Sequence, residues 1–289
     1  MTGQRTLATD VVFAGRGLHT GKKVSVTVKP ADPNHGILIR RTDPKGKDVE
    51  IPASWRFAVD AHMGTMLKTP IRVVIRTPEH FMAALYAVSI DNALVLLHGE
   101  EFPMLDGSAR LFIDGFVEAG TVLQNKPQRK IEVLKKVGYR YGKRFVCLEP
   151  ARELEIDLSV RVAQIGQFHW QGVMTPELFA EEMADARSFG PLFPGLWAVL
   201  LCRLIGYPLL RGASMKTCVV MYRGRAINPG GLRMPDEFLR HKLLDLIGDL
   251  ALAGAPLIAR VSAHNPTHRF NHAALRALFA DCDAWRWTT

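Results

Sequence analysis

Two short segments, far apart in the chain, contain the side chains best suited to catalysis. The first holds Glu79 and His80, and the second holds His241 and Asp245. Because His241 and Asp245 are four residues apart, both side chains lie on one face if this segment is a helix, and they can bind one metal ion. With His80 they form two imidazoles and one carboxylate, which leaves the open fourth position of a catalytic zinc site. Glu79 is placed to take a proton from water, so the residues predict a zinc hydrolase.

The alternative is that the histidine and the aspartate form an ordinary polar helix face, since such pairs are common on solvated helices. The segment 237–249 is apolar on one side, as expected of a helix that faces a core. His241, Asp245 and Asp249 form a second, ionisable stripe at i, i+4 and i+8. An ionisable stripe beside a buried face needs charge compensation, which a divalent cation supplies, so the pattern favours the metal site.

These two segments belong to a longer series of motifs through which the sequence resembles the UDP-3-O-acyl-N-acetylglucosamine deacetylases. That family catalyses the committed step of lipid A synthesis. The matching motifs are residues 4–7, 17–23, 33–34, 40–43, 77–80, 90–92, 103–109, 187–190, 230–233 and 235–238, followed by the helix that carries His241. So many motifs in order, over nearly the whole chain, are more specific than any single one.

The resemblance implies a zinc ion bound by His80, His241 and Asp245, the same set that the spacing predicts. It also implies Glu79 as the general base. A histidine near the C-terminus is implied as the partner acid, and the residues that follow His268 match the family pattern around it. The implied reaction is hydrolysis of an acetamide, which releases acetate and a free 2-amino sugar.

Three further roles follow from the resemblance alone. Asp249 holds the imidazole of His268, and Lys242 is a cation beside the reacting centre. Ser188 supplies the hydroxyl that stabilises the oxyanion; the family usually has threonine there, and serine keeps the hydrogen-bond donor.

The expected substrate-binding residues are Phe189, Lys242, Leu196 and Trp197. The last two lie in an apolar insert near residues 190–211, which in the family walls an acyl-chain tunnel and is several residues longer here. This insert could instead be ordinary core, or Phe193, Leu196 or Trp197 could plug the tunnel.

Two other functions therefore stay open beside the lipid A enzyme. One is a zinc amidase that acts on a different N-acetylated, nucleotide-linked sugar. The other is a regulatory relative that binds sugar nucleotides, although the presence of Glu79 argues against it, because a binding protein needs no base.

For the fold we expect an α+β protein of two related domains, residues 1–124 and 130–289, each a β-sheet packed on helices. The resemblance implies that the active site lies at their interface. Alternating apolar residues predict half-buried strands at 24–28 and 154–160. The polar segment 124–130 is predicted to be the linker.

The net charge of +9 is compatible with nucleic acid, a membrane surface or an anionic substrate. Since no nucleic-acid-binding motif is present and the basic residues are scattered, we expect no nucleic-acid partner. A uridine diphosphate group and an anionic inner membrane both fit the charge. We therefore expect a monomer that binds a UDP-linked acylated amino sugar and makes peripheral contact with the inner membrane.

The four cysteines show no C-x-x-C spacing, which is typical of a protein in a reducing compartment. Residues 1–5 lack the apolar core of an export signal. The apolar stretch 195–210 is short and contains Arg203 and Pro208, so it is not predicted to span a membrane. We expect a cytoplasmic location.

Overall fold

The computed structural model describes residues 3–42, 46, 48–61 and 63–289. Met1, Thr2 and Asp43, on which parts of the sequence analysis fall, lie outside these residues. The chain forms a mixed α+β fold, as predicted. Among the described residues, no helix is long and apolar enough to cross a membrane.

The strands are β1 (Gly3–Leu7), β2 (Val11–Arg16), β3 (Lys23–Pro30), β4 (Ile37–Thr42), β5 (Asp48–Pro52), β6 (Ala58–Val59), β7 (Met66–Lys68), β8 (Val74–Arg76), β9 (Ala93–His98), β10 (Thr121–Pro127), β11 (Lys130–Val133), β12 (Val137–Tyr141), β13 (Arg144–Glu149), β14 (Leu154–Val162), β15 (Gly166–Val173), β16 (Phe189–Pro191), β17 (Val219–Tyr222), β18 (Arg225–Ala226), β19 (Leu257–His264) and β20 (Trp285–Thr288). The helices are α1 (Glu79–Ala87), α2 (Arg110–Ala119), α3 (Pro176–Leu178), α4 (Leu192–Leu204), α5 (Glu237–Leu250) and α6 (His268–Ala280).

The N-terminal half is built on a five-stranded sheet in the order β2-β3-β9-β4-β5, in which only β4 and β9 pair in parallel. The strand predicted at 24–28 lies within β3, where Val24, Val26 and Val28 are buried on one face. Helices α1 and α2 cover this sheet through an aromatic cluster, in which Phe81 of α1 packs edge to face against Phe112 of α2. The alternating pattern thus identifies the buried face of the strand.

The C-terminal half contains a seven-stranded sheet. Its strands run in the order β12-β13-β19-β11-β20, and β14 pairs with both β19 and β15. The strand predicted at 154–160 lies within β14. Helix α6 packs on β12 and β13, and α5 packs on β14, β15 and α6. Each half is therefore a sheet covered by helices, and α1 and α5 bring the two helical layers together.

Part of the predicted linker, residues 124–130, is a β-strand and not a flexible connection. Residues 124–127 are the end of β10, which pairs antiparallel with β1. The Gln124 side chain donates to the Ala31 carbonyl at 2.8 Å and accepts from Asn92 Nδ2 at 2.8 Å. The Gln124 side chain thus has partners in the N-terminal half, and the strand pairing with β1 holds the backbone extended. The division into two domains stays a prediction.

Helices α1 and α5 approach each other so closely that one position must be glycine. A Cβ atom placed on Gly248 of α5 would lie 2.0 Å from the carbonyl oxygen of Glu79, which begins α1. No van der Waals contact is that short, so any larger residue would push the helices apart. The close packing brings the first turn of α1 against the C-terminal part of α5.

We predict that Gly248→Ala destabilises the protein by about 1–3 kcal/mol, because the added methyl group overpacks the helix contact. Ordinarily, alanine in place of a helical glycine stabilises by up to about 1 kcal/mol. Gly195→Ala is the matched control, since Gly195 lies in α4 and a Cβ there would have nothing within 4 Å. Urea unfolding of both variants measures the difference, and equal stability of Gly248→Ala and wild type would contradict the overpacking.

Candidate metal centre and active site

Three buried side chains from α1 and α5 converge on one point. Asp245 Oδ1 lies 3.7 Å from His80 Nε2 and 3.4 Å from His241 Nε2. One ligand atom from each of the three residues lies within 4.8 Å of the other two. The two imidazole rings are 5.1 Å apart between centroids and almost perpendicular. Of the residues in the described part of the chain, this group is the one that could hold a metal ion.

The chemistry of these donors fits a metal ion. His241 Nδ1 lies 3.1 Å from the Ala186 carbonyl oxygen, to which it donates, so Nε2 carries a free lone pair directed at the cluster. Burial lowers the pKa of His241 to about 4, which keeps the ring neutral. Burial alone would raise the pKa of Asp245, but His241 and Lys242 lower it well below its usual range. The neutral imidazole of His241 and the ionised carboxylate of Asp245 are thus available as ligands, and His80 Nε2 faces the same carboxylate.

The start of α1 is set by the backbone before it. Thr77 has a φ of 52°, and its N–H donates to the Thr65 carbonyl at 2.8 Å. This left-handed turn ends β8 and directs the chain into the helix, whose first two residues are Glu79 and His80. Both side chains are buried at the N-terminus of this helix.

The start of α5 is held by a buried ion pair. The Arg187 side chain donates to both oxygens of Glu237, at 2.8 and 3.1 Å, and the Arg187 N–H donates to the same carboxylate at 3.0 Å. Both side chains are almost fully buried. Since Glu237 begins α5, this pair fixes the helix relative to β16, the strand that follows Arg187.

Glu79 lies beside the metal ligands without being needed as one. Its Oε2 accepts a hydrogen bond from the Thr65 N–H at 3.2 Å. Burial raises the pKa of Glu79, and the positive charge of His268 opposes that increase. A carboxylate in this environment is a stronger base than an exposed one.

Asp249 is the acceptor at the centre of a second buried cluster. Its Oδ2 accepts from His268 Nδ1 and from Asn271 Nδ2, each at 2.8 Å. Its Oδ1 accepts from His272 Nε2 at 3.2 Å and from the Thr65 hydroxyl. Burial alone would raise the pKa of Asp249, but His268 and His272 lower it, so this carboxylate is ionised.

His268 lies at the first position of α6, between the two clusters. Its Nδ1 faces Asp249, whereas its Nε2 lies 3.8 Å from Asp245 Oδ2. Burial alone would lower the pKa of His268, but the charges of Asp249 and Asp245 raise it to about 9. The imidazole is therefore protonated at neutral pH.

The other two C-terminal histidines occupy different places. His264 ends β19, where its ring stacks on Phe145 with centroids 6.2 Å apart and its Nε2 contacts Asn265 at 3.0 Å. His272 lies one turn along α6 from His268 and is buried against Asp249. Of these two histidines, His272 but not His264 therefore shares the Asp249 cluster with His268.

The remaining predicted site residues lie along one cavity. Ser188, Phe189 and Lys242 all line it. Lys242 Nζ donates to Asp245 Oδ2 at 2.7 Å and lies 5.7 Å from the centre of the Phe189 ring. Phe189 also packs against His241, with ring centroids 6.0 Å apart. These three side chains thus form the wall next to the metal ligands.

The cavity has a volume of about 1190 Å³ and continues from the metal ligands to the predicted insert. Leu196, Val199 and Leu200 of α4 line it. Trp197 and Phe193, by contrast, are not among its lining residues, and both side chains are exposed. The structure therefore brings Leu196 to the site but leaves Trp197 outside it.

Two residues of the site were missed by the sequence analysis. Thr65 bonds Asp249 through its hydroxyl and Glu79 through its N–H, so it connects the two clusters. Asn271 donates to Asp249. Thr65 lies just before β7 with no catalytic motif around it, whereas Asn271 could have been found, since it lies three residues after His268, about one helical turn along the chain.

Comparisons with known proteins agree with the geometry of the site. The protein-family model described as UDP-3-O-acyl N-acetylglycosamine deacetylase matches residues 4–280. The chain is 40% identical to the UDP-3-O-acyl-N-acetylglucosamine deacetylase of Phenylobacterium zucineum strain HLK1, with 99% of this chain and 96% of that protein aligned. It is 38% identical to the Myxococcus xanthus strain DK1622 protein of the same name, with 96% of this chain and 87% of that protein aligned.

We predict that Thr65→Val lowers the free energy of unfolding by about 1–3 kcal/mol, because it leaves buried polar groups of the Asp249 cluster without their hydroxyl partner. Thr65→Ser keeps the hydroxyl and should lose less. Chemical denaturation of the three proteins measures this, with metal content as the check that the ligands are intact. A valine variant as stable as wild type would show that the hydroxyl bonds contribute nothing.

Proposed function

The chain belongs to the UDP-3-O-acyl-N-acetylglucosamine deacetylase family, and we propose that it hydrolyses the 2-acetamido group of a UDP-3-O-acyl-N-acetylglucosamine in lipid A biosynthesis. The products are acetate and the free amine. One observation carries the proposal above all others: three metal-ligand side chains, a buried carboxylate and a buried cationic imidazole converge at one end of an apolar cavity.

Zinc is the metal that we propose for His80, His241 and Asp245. Two imidazoles and one carboxylate are typical of catalytic zinc sites, which leave a position open. Zinc held there would supply Lewis-acid chemistry, polarising a carbonyl and lowering the pKa of coordinated water to about 7.

Glu79 is proposed as the general base. It takes a proton from the attacking water as the water oxygen adds to the acetamide carbonyl carbon. The burial that raises the pKa of Glu79 supports this role, because it increases the affinity of the carboxylate for the proton. The Thr65 N–H that bonds Oε2 holds the carboxylate in place.

His268 is proposed as the general acid. When the carbon–nitrogen bond breaks, the amine must gain a proton to leave, and His268 Nε2 faces the metal ligands with a proton to give. Asp249 accepts from Nδ1, which orients the ring and keeps it cationic. The two proton carriers thus have the opposite charge states that this reaction requires at neutral pH.

Ser188 and Lys242 are proposed to stabilise the negative charge that develops on the carbonyl oxygen. Both line the cavity next to the metal ligands. A single well-placed donor of this kind contributes roughly 3–4 kcal/mol to the transition state. In the structure Lys242 is bonded to Asp245, so it also orients that ligand.

The cavity supports an acylated substrate over the alternative of an unacylated sugar. Leu196, Val199 and Leu200 give it an apolar wall, and the aromatic side chains proposed as plugs lie outside it. Arg211 and Arg269 bring positive charge to the lining, which suits a diphosphate. An acyl chain and a nucleotide can therefore be recognised by different parts of one cavity.

The first test separates metal ligands from proton carriers. We predict that His241→Ala loses both bound zinc and activity, whereas Glu79→Gln and His268→Gln keep zinc but lose roughly 10²–10⁴-fold in kcat. Metal analysis and single-turnover rates give the two readouts. The matched control is Glu50→Gln, which neutralises an exposed carboxylate paired with Arg40 and should change neither.

Zinc binding as tight in His241→Ala as in wild type would refute the metal assignment. A wild-type kcat in His268→Gln would show that a group other than His268 is the general acid.

A second test concerns the acyl chain. We predict that kcat/KM rises roughly fourfold for each methylene of the 3-O-acyl group until the cavity is filled, since each buried methylene contributes about 0.8 kcal/mol. Leu196→Trp should penalise long chains more than UDP-N-acetylglucosamine itself. Leu201→Trp, on the exposed side of the same helix, is the control and should leave the series unchanged. A flat series would contradict the acyl assignment while leaving the deacetylase reaction standing.

A further inference from the structure

Helix α4 is apolar on two opposite faces. Leu196, Val199 and Leu200 face the cavity. On the other face, the exposed fractions are 66% for Trp197, 59% for Leu201, 84% for Leu204 and 69% for Ile205, the residue that follows the helix. These four positions, spaced i, i+4, i+7 and i+8, form a continuous stripe that we call the outer face. An exposed apolar stripe of this length on a helix indicates a surface that is covered by a partner.

The charged side chains in the segment around α4 are all basic. Residues 186–235 contain seven lysines and arginines and no aspartate or glutamate. Helix α4 packs on β16 and β17, and β17 pairs with β18 through a turn that carries Arg223 and Arg225. Both arginines are exposed, as is Lys216. Within the described part of the chain, no carboxylate forms an ion pair with these three side chains. The segment around α4 therefore adds uncompensated positive charge to its apolar stripe.

We infer that the outer face of α4 and the basic β17–β18 turn together form a docking site for a lipid bilayer that carries anionic headgroups. The inference goes beyond the proposed function and does not depend on it, because binding to a bilayer can be measured without substrate. An apolar stripe with tryptophan and leucine, flanked by arginine and lysine, is the composition that binds at the interface between headgroups and acyl chains.

A second copy of this chain fits the surface less well. A symmetric dimer through α4 would bring the same basic segment of both copies together, and like charges would then oppose each other across the interface. Anionic headgroups provide the opposite charge. Apart from the indole N–H of Trp197, the side chains of the stripe contain no hydrogen-bonding group that a protein partner would recognise, whereas a bilayer needs none.

The position of the outer face relative to the cavity supports the same partner. The two faces belong to one helix, so docking of the outer face would place the Leu196 wall of the cavity next to the bilayer surface. Amphiphilic molecules with an acyl chain concentrate at that surface. The docking site therefore borders the apolar cavity. A binding site for an unrelated partner would not need to lie beside this cavity.

The test is cosedimentation of the full-length protein with sucrose-loaded vesicles. We expect binding to vesicles that contain phosphatidylglycerol, with weaker binding at high salt and to phosphatidylcholine alone. Leu201→Ser/Leu204→Ser should lower the partition coefficient at least about tenfold. The matched control is Leu111→Ser/Val117→Ser, which removes two exposed apolar side chains from α2 and should bind like wild type.

Charge is tested in the same assay. Arg223→Glu/Arg225→Glu should abolish the preference for phosphatidylglycerol. The control, Lys143→Glu/Arg144→Glu, reverses two exposed charges in the β12–β13 turn and should retain the preference. Quenching of tryptophan fluorescence by brominated lipid should disappear in Trp197→Phe, which reports that the outer face itself enters the bilayer.

Three results would overturn the inference: no binding of wild type to anionic vesicles, equal loss of binding in the α2 control, or quenching that persists in Trp197→Phe. Concentration-dependent dimerisation that is lost in Leu201→Ser/Leu204→Ser, without vesicle binding, would assign the outer face to a second copy instead. Unchanged zinc content and unfolding midpoints show that the variants are folded.

Discussion

The close packing of α1 on α5 is the contact from which the geometry of the site follows. Because Gly248 has no side chain, the backbone of α5 meets the Glu79 carbonyl directly. This packing brings a ligand from the N-terminal half, His80, within reach of a ligand from the C-terminal half, Asp245. The buried pair of Arg187 with Glu237 fixes the start of α5 independently. The metal centre is therefore a product of the contact between the two halves and belongs to neither half alone.

The burial of several ionisable groups explains why the site has two clusters rather than one. An ionised carboxylate removed from water needs donors or cations to compensate the lost hydration. Asp249 has donors on both of its oxygens, from two histidines, an asparagine and a threonine. Asp245 is bonded to Lys242 and otherwise faces imidazole nitrogens, one of them the lone pair of neutral His241. A cation held between these atoms would complete the compensation, so metal binding would stabilise the buried site.

Periodicity and motif order predicted the helix with His241 and Asp245, the start of α1 at Glu79, and the strands within β3 and β14. These are local features, which depend on which face of an element is apolar. The role of Thr65 could not be predicted, since its hydroxyl bonds a residue 184 positions away and no local pattern surrounds it. The strand at 124–127 was missed for the same reason: it pairs with β1, more than 110 residues earlier, and its Gln124 side chain bonds Ala31 and Asn92. For α4, an apolar pattern on every side could not distinguish Leu196, in the cavity wall, from Trp197, outside it.

The two faces of α4 follow from different requirements. A wall one helix thick has a cavity on one side and no further layer of protein on the other, so its outer side is exposed whatever residues it contains. The cavity requires apolar residues only at positions such as Leu196 and Leu200. Nothing about the cavity requires Leu201 or Leu204 to be apolar, since polar residues there would leave the wall intact and reduce the exposed apolar surface. The apolar outer face and the exposed basic residues Lys216, Arg223 and Arg225 are therefore explained by a surface that the helix contacts and not by the site that it encloses.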